Sequence, residues 1–116
     1  MDVEGGVALG SDSFIEYLRG LAGKTLYTLD YKRPFTFESL IGNQVIITTS
    51  RGNPRSINLE NTVSAYKHLL SKGELTRSEI MTHYSNFNPA YVAAILAGLD
   101  YVDFTLRPIR LFLVIK

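Results

Sequence analysis

The side chains most often used for catalysis and metal binding are few in this chain and far apart in the sequence. The two histidines, His68 and His83, are fifteen residues apart, and neither belongs to a His-x-x-x-His or Glu-x-x-His pair. The absence of cysteine removes disulfides, thiolate metal sites and thiol nucleophiles. We therefore expect no metal ion, no cofactor and no small-molecule ligand. The central carboxylates, which are scattered and better explained as turn, surface or cap residues than as a nuclease centre, are Asp30, Glu38, Glu60, Glu74 and Glu79.

Acid–base catalysis without a metal is the remaining enzymatic possibility. His, Arg, Lys and Tyr are all present and could serve a small ribonuclease, but their presence does not bring them together. No Gly-x-Ser-x-Gly elbow, phosphate loop or dinucleotide fingerprint accompanies them. We expect a protein that is not an enzyme.

Basic side chains offer another kind of chemistry, the binding of phosphate groups. The formal net charge is only +1, but residues 19–77 hold nine Lys or Arg against four acidic residues. β-Branched and aromatic residues dominate 24–31, 35–40 and 44–49, and turn signals lie between these stretches. This pattern predicts an antiparallel meander, with Arg55–Ile57 as a possible fourth strand.

In such a meander the first and third turns lie at the same end of the sheet. Four cations would then meet there and could contact phosphates: Lys32, Arg33, Arg51 and Arg55. The commoner role of cations in turns is to solubilise strand ends and discourage edge pairing, and the sequence leaves that interpretation open.

Before the meander we expect a disordered stretch, residues 1–12, and then an amphipathic helix over 14–22. Ser13 and Glu16 have the spacing of a capping box, and the helix should end near Gly23. This helix is expected to cover one side of the core.

Residues 59–99 carry the strongest local pattern, three short helices joined by tight turns. Asn58 is predicted to cap the first helix and Gly73 to end it. Thr76 and Glu79 form the capping box of the second helix, and Asn88-Pro89 begins the third. The side chains expected to face the core are Leu59, Val63, Tyr66 and Leu70, then Ile80, Met81 and Tyr84, then Val92, Ile95, Leu96 and Leu99.

The third helix has two features that bear on binding. Its positively polarised start includes Asn88 and Tyr91, which together with Asn86 could hydrogen-bond a phosphate, while Arg77 lies on the helix before it. Its face away from the core stripe carries alanines and one tyrosine, which cannot make the bidentate contacts that discriminate bases. Small side chains allow a second backbone to approach closely, so a candidate partner interface is formed by Ala90, Ala94 and Ala97.

Two strands are predicted to close the chain, Tyr101–Leu106 and Ile109–Ile115. The run Leu111–Ile115 is apolar without alternation, which indicates a strand covered on both faces inside a sheet. The predicted fold class is therefore α+β, with an N-terminal helix, a meander of three or four strands, a three-helix unit and a C-terminal strand pair.

We expect one domain over residues 13–116, made of a helix and meander at 13–58 and a second part at 59–116. No apolar run approaches the length of a membrane-spanning helix, and the acidic first ten residues do not form a signal peptide. We expect a cytoplasmic protein with no membrane partner.

The segment YKHLLSKGELTRSEIMTHYSNFNPAYVAAILAGL, residues 66–99, resembles the three-helix core of winged helix-turn-helix domains, and the following strand pair would supply the wing. Such domains commonly bind DNA, but many serve as protein-interaction modules. The resemblance implies a winged-helix-like fold and leaves two functions open. The first is nucleic-acid binding, to DNA or RNA, mainly through the phosphate backbone. The second is assembly, as a homodimer or with another protein, through the alanine-rich third helix or the C-terminal strand.

Overall fold

The computed structural model describes residues 10–114, which form four helices and two antiparallel sheets. This is the α+β fold that the sequence predicts. None of the helices within residues 10–114 has the length and apolar character needed to cross a membrane. In chain order the elements are α1 (Ser11–Gly20), β1 (Lys24–Tyr27), β2 (Pro34–Ile41), β3 (Gln44–Thr48), β4 (Pro54–Asn58), α2 (Leu59–Lys72), β5 (Glu74–Thr76), α3 (Arg77–His83), α4 (Pro89–Ala97), β6 (Val102–Thr105) and β7 (Arg110–Leu113).

The first sheet is the predicted meander, with strand order β1-β2-β3-β4. The possible fourth strand is therefore confirmed. Alternate side chains of β2 and β3 point into the core, because successive residues of a strand face opposite sides. The register pairs Phe37 with Ile47 and Val45 with Ile57, and all four of these side chains are buried.

The second sheet has the order β5-β7-β6. The connection Gly73-Glu74-Leu75 was expected to be only a tight turn between two helices, but Glu74–Thr76 forms β5, which pairs with β7 through Leu75 and Leu111. Both of these side chains are fully buried. Strand β7 lies in the centre of the sheet, as its continuous apolar sequence predicts.

Helix α1 begins earlier than the sequence predicts. Ser11 and Asp12 are helical, so the expectation of disorder up to residue 12 is wrong for these two, while residues 1–9 lie outside the described part of the chain. Gly10 occupies the N-cap, and the predicted capping box is not formed because Ser13 lies inside the helix. The Glu16 carboxylate instead accepts a hydrogen bond of 2.9 Å from Arg19.

The caps of α2 and α3 form as predicted. The Asn58 side chain accepts from the Asn61 amide at 2.9 Å, and Gly73 ends α2 in the left-handed region at φ 82°. Thr76 and Glu79 form the reciprocal capping box of α3. The buried faces differ in detail, since Met81 is 40% exposed. In α2 the buried residues are Thr62, Ala65, Tyr66 and Leu69, whereas Leu59, Val63 and Leu70 are half-buried.

Helix α4 lies at the centre of the fold and is covered on nearly all sides. On one side, the Tyr17 hydroxyl of α1 donates a hydrogen bond of 2.8 Å to the Ile95 carbonyl. On another, the Phe35 ring of β2 packs edge-on against Tyr91 at 4.9 Å between ring centroids. The buried apolar side chains form one cluster that draws on both sheets and on all four helices.

Candidate functional site

Three of the four cations that the meander was expected to gather line one pocket. Arg33 comes from the β1–β2 turn, Arg51 from the β3–β4 turn and Arg55 from β4. Their pocket has a volume of about 250 Å³, and Tyr91 of α4 also lines it. We call this the arginine pocket; its remaining lining residues are Thr49, Ser50 and Asn53.

Two threonines hold the turns that carry Arg33 and Arg51. The Thr28 side chain is buried, and its hydroxyl accepts from the Arg33 amide at 3.0 Å, while the Thr28 amide donates to the Arg33 carbonyl at 3.0 Å. The same pair of bonds joins Thr49 and Asn53. The Thr49 amide donates to the Asn53 carbonyl at 2.8 Å, and the Thr49 hydroxyl accepts from the Asn53 amide at 3.2 Å. The turn backbones are thus ordered, and the exposed guanidinium groups extend from fixed positions.

Arg55 approaches the pocket from the inner face of the meander. It lies directly opposite Ile47, which is fully buried, so its side chain leaves the sheet on the side of the core. Because Arg55 is the second residue of β4, its guanidinium lies at the edge of the core, remains exposed and reaches the start of α4. There it donates a hydrogen bond of 3.3 Å to the Asn88 side-chain oxygen.

Asn88 occupies the predicted N-cap position of α4 but makes no side-chain cap hydrogen bond. Its oxygen accepts from Arg55 instead, so the amides of Ala90 and Tyr91 receive no acceptor from the cap residue. Pro89 follows as predicted and has no amide proton to satisfy. The positive end of the α4 dipole therefore has no side-chain cap, and Tyr91 of its first turn lines the arginine pocket.

The charge of the pocket is positive. Its seven lining residues include three arginines and no carboxylate. The nearest acidic residue along β2, Glu38, accepts a hydrogen bond of 2.7 Å from Thr48. Thr48 pairs with Pro54 rather than with Arg55, so this contact lies on the outer face of the sheet, away from the pocket. The arrangement is suited to an anion such as phosphate.

The other predicted contact residues lie outside this pocket. The Lys32 ammonium group sits 5.5 Å from the centre of the Phe104 ring, toward β6. Arg77 lines a different and larger cleft, and Asn86 is an exposed residue of the α3–α4 connection. Three residues that were not predicted as contact residues also line these two sites. Thr49 and Asn53 line the arginine pocket, and Arg107 lines the larger cleft. Arg107 directly precedes Pro108 in the sequence, but no local sequence pattern predicts that this turn lies near Arg77.

The expectation of an exposed alanine face on α4 is wrong. Ala93 is fully buried, Ala94 is 7% exposed, and Ala90 and Ala97 are half-buried within the chain itself. Because Ala93 and Ala94 are buried within the chain itself, of these alanines only Ala90 and Ala97 keep part of this face open to solvent. Within residues 10–114, strand β7 is paired on both edges, with β5 on one side and β6 on the other.

The histidines take part in structural contacts. The His68 Nδ1 atom lies 2.8 Å from the Tyr84 hydroxyl, and its Nε2 atom lies 3.7 Å from the Glu79 carboxylate. A hydrogen bond from the Thr76 amide is the main cause that lowers the pKa of the Glu79 carboxylate. Partial burial raises this pKa, but the Thr76 hydroxyl and the charges of His68 and His83 lower it further, so the net shift is downward. Within residues 10–114 no group of three or more His, Asp or Glu side chains is arranged to hold a metal ion.

Comparison of the chain with protein-family models, with curated proteins and with solved structures finds no match in any of the three. The residues and geometry of the pocket are therefore the basis for assigning a function.

Proposed function

We propose that this chain is a small, non-catalytic nucleic-acid-binding protein that contacts mainly the phosphate backbone. The observation that carries the proposal is the convergence of Arg33, Arg51 and Arg55 with the open start of α4 in one concave site. These groups come from three separate parts of the chain. A role limited to solubilising strand ends does not require them to share a pocket with a helix N-terminus.

Each group has a defined use toward a phosphate. Guanidinium groups donate two parallel hydrogen bonds to phosphate oxygens, and their charge releases counterions from the nucleic acid. The amides of Ala90 and Tyr91 can donate to the same anion. Since these contacts involve no base edges, binding is expected to depend weakly on sequence.

The order of elements over residues 59–113 supports a winged-helix-like assignment for this part. It runs helix, strand, helix, helix, strand, strand, and the first strand pairs with the last, as a winged helix-turn-helix unit requires. Here the third helix, α4, is covered by the meander, so in this proposal it contributes its N-terminus rather than an exposed face.

A salt titration of binding tests the proposal. Labelled DNA and RNA oligonucleotides are titrated with protein at several salt concentrations, and fluorescence anisotropy gives Kd. We expect the affinity to fall steeply with salt, and Arg51→Ala with Arg55→Ala to reduce the slope of log K against log salt by about 1.4 to 1.8 if each contacts one phosphate. Lys67→Ala with Lys72→Ala is the matched control, because it removes the same charge from exposed positions that do not line the pocket.

Two results would contradict the proposal. One is the absence of binding to every oligonucleotide at low salt. The other is an equal loss of slope in the pocket variant and in the control variant, since that would show an effect of net charge alone.

A further inference from the structure

The covering of α4 limits the form of nucleic acid that the site can accept. A protein that reads duplex DNA with a helix needs that helix exposed enough to enter the major groove. In this chain six of the nine α4 residues are buried: Pro89, Val92, Ala93, Ala94, Ile95 and Leu96. The polymer must instead bring its phosphates into a concave pocket between turns, which a flexible strand does more readily than a stiff duplex.

Two aromatic side chains are exposed in the chain segments that adjoin the arginine pocket. Phe87 is 81% exposed and Tyr31 is 77% exposed, more than any other large apolar side chain within residues 10–114. Phe87 directly precedes Asn88, the acceptor of the Arg55 hydrogen bond, and Tyr31 lies in the same turn as Arg33. Exposed rings next to phosphate-binding cations are the stacking platforms by which proteins hold unpaired bases.

Tyr31 also lines a second cleft, of about 500 Å³, to which the β1–β2 turn contributes Asp30 and Tyr31. Arg77 and Arg107 supply positive charge there, and Ser78 supplies a hydroxyl. The Arg77 Nε atom is buried and has no hydrogen-bond partner within the described residues. A buried donor without an acceptor is costly, and Arg77, which carries this donor, lines the cleft.

The cleft contains one carboxylate, that of Asp30, which accepts a hydrogen bond of 2.8 Å from the Tyr31 amide. The cleft therefore has two cations against one anion and remains positive on balance. The same β1–β2 turn gives Arg33 to the arginine pocket, so the two sites adjoin across a single turn.

Resting on the proposed function, we infer that the ligand is a single-stranded nucleic acid that crosses the β1–β2 turn, with phosphates in both clefts and bases stacked on Phe87 and Tyr31. We call this surface the basic track. It consists of the arginine pocket, the Tyr31 turn and the second cleft with Arg77 and Arg107.

The test compares strand forms and aromatic variants at one salt concentration. The probes are a thymidine homopolymer, a uridine homopolymer and a random-sequence DNA duplex of equal length. Both single strands are expected to bind more tightly than the duplex. Phe87→Ala and Tyr31→Ala should each weaken single-strand binding about 5- to 100-fold if each ring stacks on one base. Ile41→Ala is the matched control, since Ile41 is a 63% exposed apolar residue at the opposite end of the meander.

Arg107→Gly tests the second cleft separately. Arg107 has a positive φ of 62°, which glycine adopts without strain, so this change removes the guanidinium and leaves the turn favourable. It should weaken single-strand binding severalfold and lower the salt slope by about 0.7 for one lost phosphate contact.

The outcomes separate this inference from the proposed function. Duplex binding as tight as single-strand binding, or unchanged affinity in Phe87→Ala or in Tyr31→Ala, overturns the single-strand track. If Arg51→Ala with Arg55→Ala still lowers the salt slope in that case, the proposed function stands alone. If no probe binds at low salt, the proposed function fails and the track fails with it. Tighter binding of both homopolymers than of the duplex, together with the losses in Phe87→Ala and Tyr31→Ala, supports the track.

Discussion

The Arg55 guanidinium donates a hydrogen bond of 3.3 Å to the Asn88 side-chain oxygen, and this contact joins the meander to the N-cap position of α4. The bond removes Asn88 from the role of helix cap. As a result, one asparagine both orients an arginine in the pocket and leaves the α4 amides open. The arrangement of the site therefore depends on a contact between residues 33 positions apart.

Asn88→Asp should separate binding from stability. The new carboxylate lies beside Arg55 and at the positive end of α4, so it is expected to keep or raise the melting temperature. The same negative charge repels phosphate and should weaken nucleic-acid binding about tenfold. Thermal unfolding followed by circular dichroism and anisotropy titration measure the two effects. Asn88→Ala serves as the control because it adds no charge, and equal affinities for the Asp and Ala variants would contradict the expectation.

Gly98→Ala should destabilise the fold by about 1 to 2 kcal/mol, chiefly through the Tyr17 hydrogen bond. A Cβ atom at this position would come within 2.5 Å of the Tyr17 hydroxyl, which is held by the Ile95 carbonyl. Urea unfolding gives the change in the free energy of unfolding. Gly20→Ala is the matched control, since a Cβ there meets nothing within 4 Å, and alanine is favoured over glycine in a helix. Equal stability of the two variants would show that Tyr17 moves aside freely.

Tyr17 should ionise at unusually high pH. Burial, followed by the charges of Tyr101 and Asp100, raises its pKa to about 12. Because the folded pKa exceeds the ordinary tyrosine value, ionisation opposes folding, and the contribution of Tyr17 to stability should decline as the pH rises above about 10. A spectrophotometric titration of the native protein should contain a late phenolate step that is missing in Tyr17→Phe. The idea is wrong if the two titration curves differ only at lower pH.

The capping box of α3 should give a pH-dependent contribution to stability. The pKa of Glu79 is lowered in the folded state, first by the Thr76 amide, so its contribution is complete above the unfolded-state pKa and is lost as the pH falls through the folded value. Glu79→Gln keeps the side-chain acceptor of the capping box and removes only a partly exposed, screened charge, so it is expected to cost a few tenths of a kcal/mol at neutral pH and progressively less in acid. Denaturant unfolding across acidic pH measures this, with Glu60→Gln as a control for losing an exposed carboxylate. A cost that stays constant with pH would refute the assignment.

Residues 59–99 show how far sequence patterns reach. The caps at Asn58, Gly73 and Thr76 were predictable because each depends on groups within a few positions along the chain. Strand β5 was missed because its three residues carry no strand pattern of their own. These residues form a strand only because β7 pairs with them in the folded chain.

The candidate site was predictable in part. An up-and-down meander puts alternate turns at one end, so the proximity of Arg33, Arg51 and Arg55 followed from strand order. The approach of Tyr91 and Asn88 to these arginines did not follow, because no local pattern relates the meander to α4. The exposed alanine face was predicted wrongly for the same reason, since helix periodicity does not say that two opposite faces are both covered.

The sequence by itself determined the α+β class, the meander, the starts of α2 and α3 at their caps and the clustering of basic turns. These features arise from side chain to backbone hydrogen bonds and from alternation within a strand, which act over a few residues. Only the tertiary structure decided that α4 is largely buried, that Asn88 binds Arg55 rather than capping its own helix, and that Arg77 and Arg107 line one separate cleft. Those outcomes depend on which distant surfaces exclude water together, because burial is a property of the packed chain rather than of any short segment.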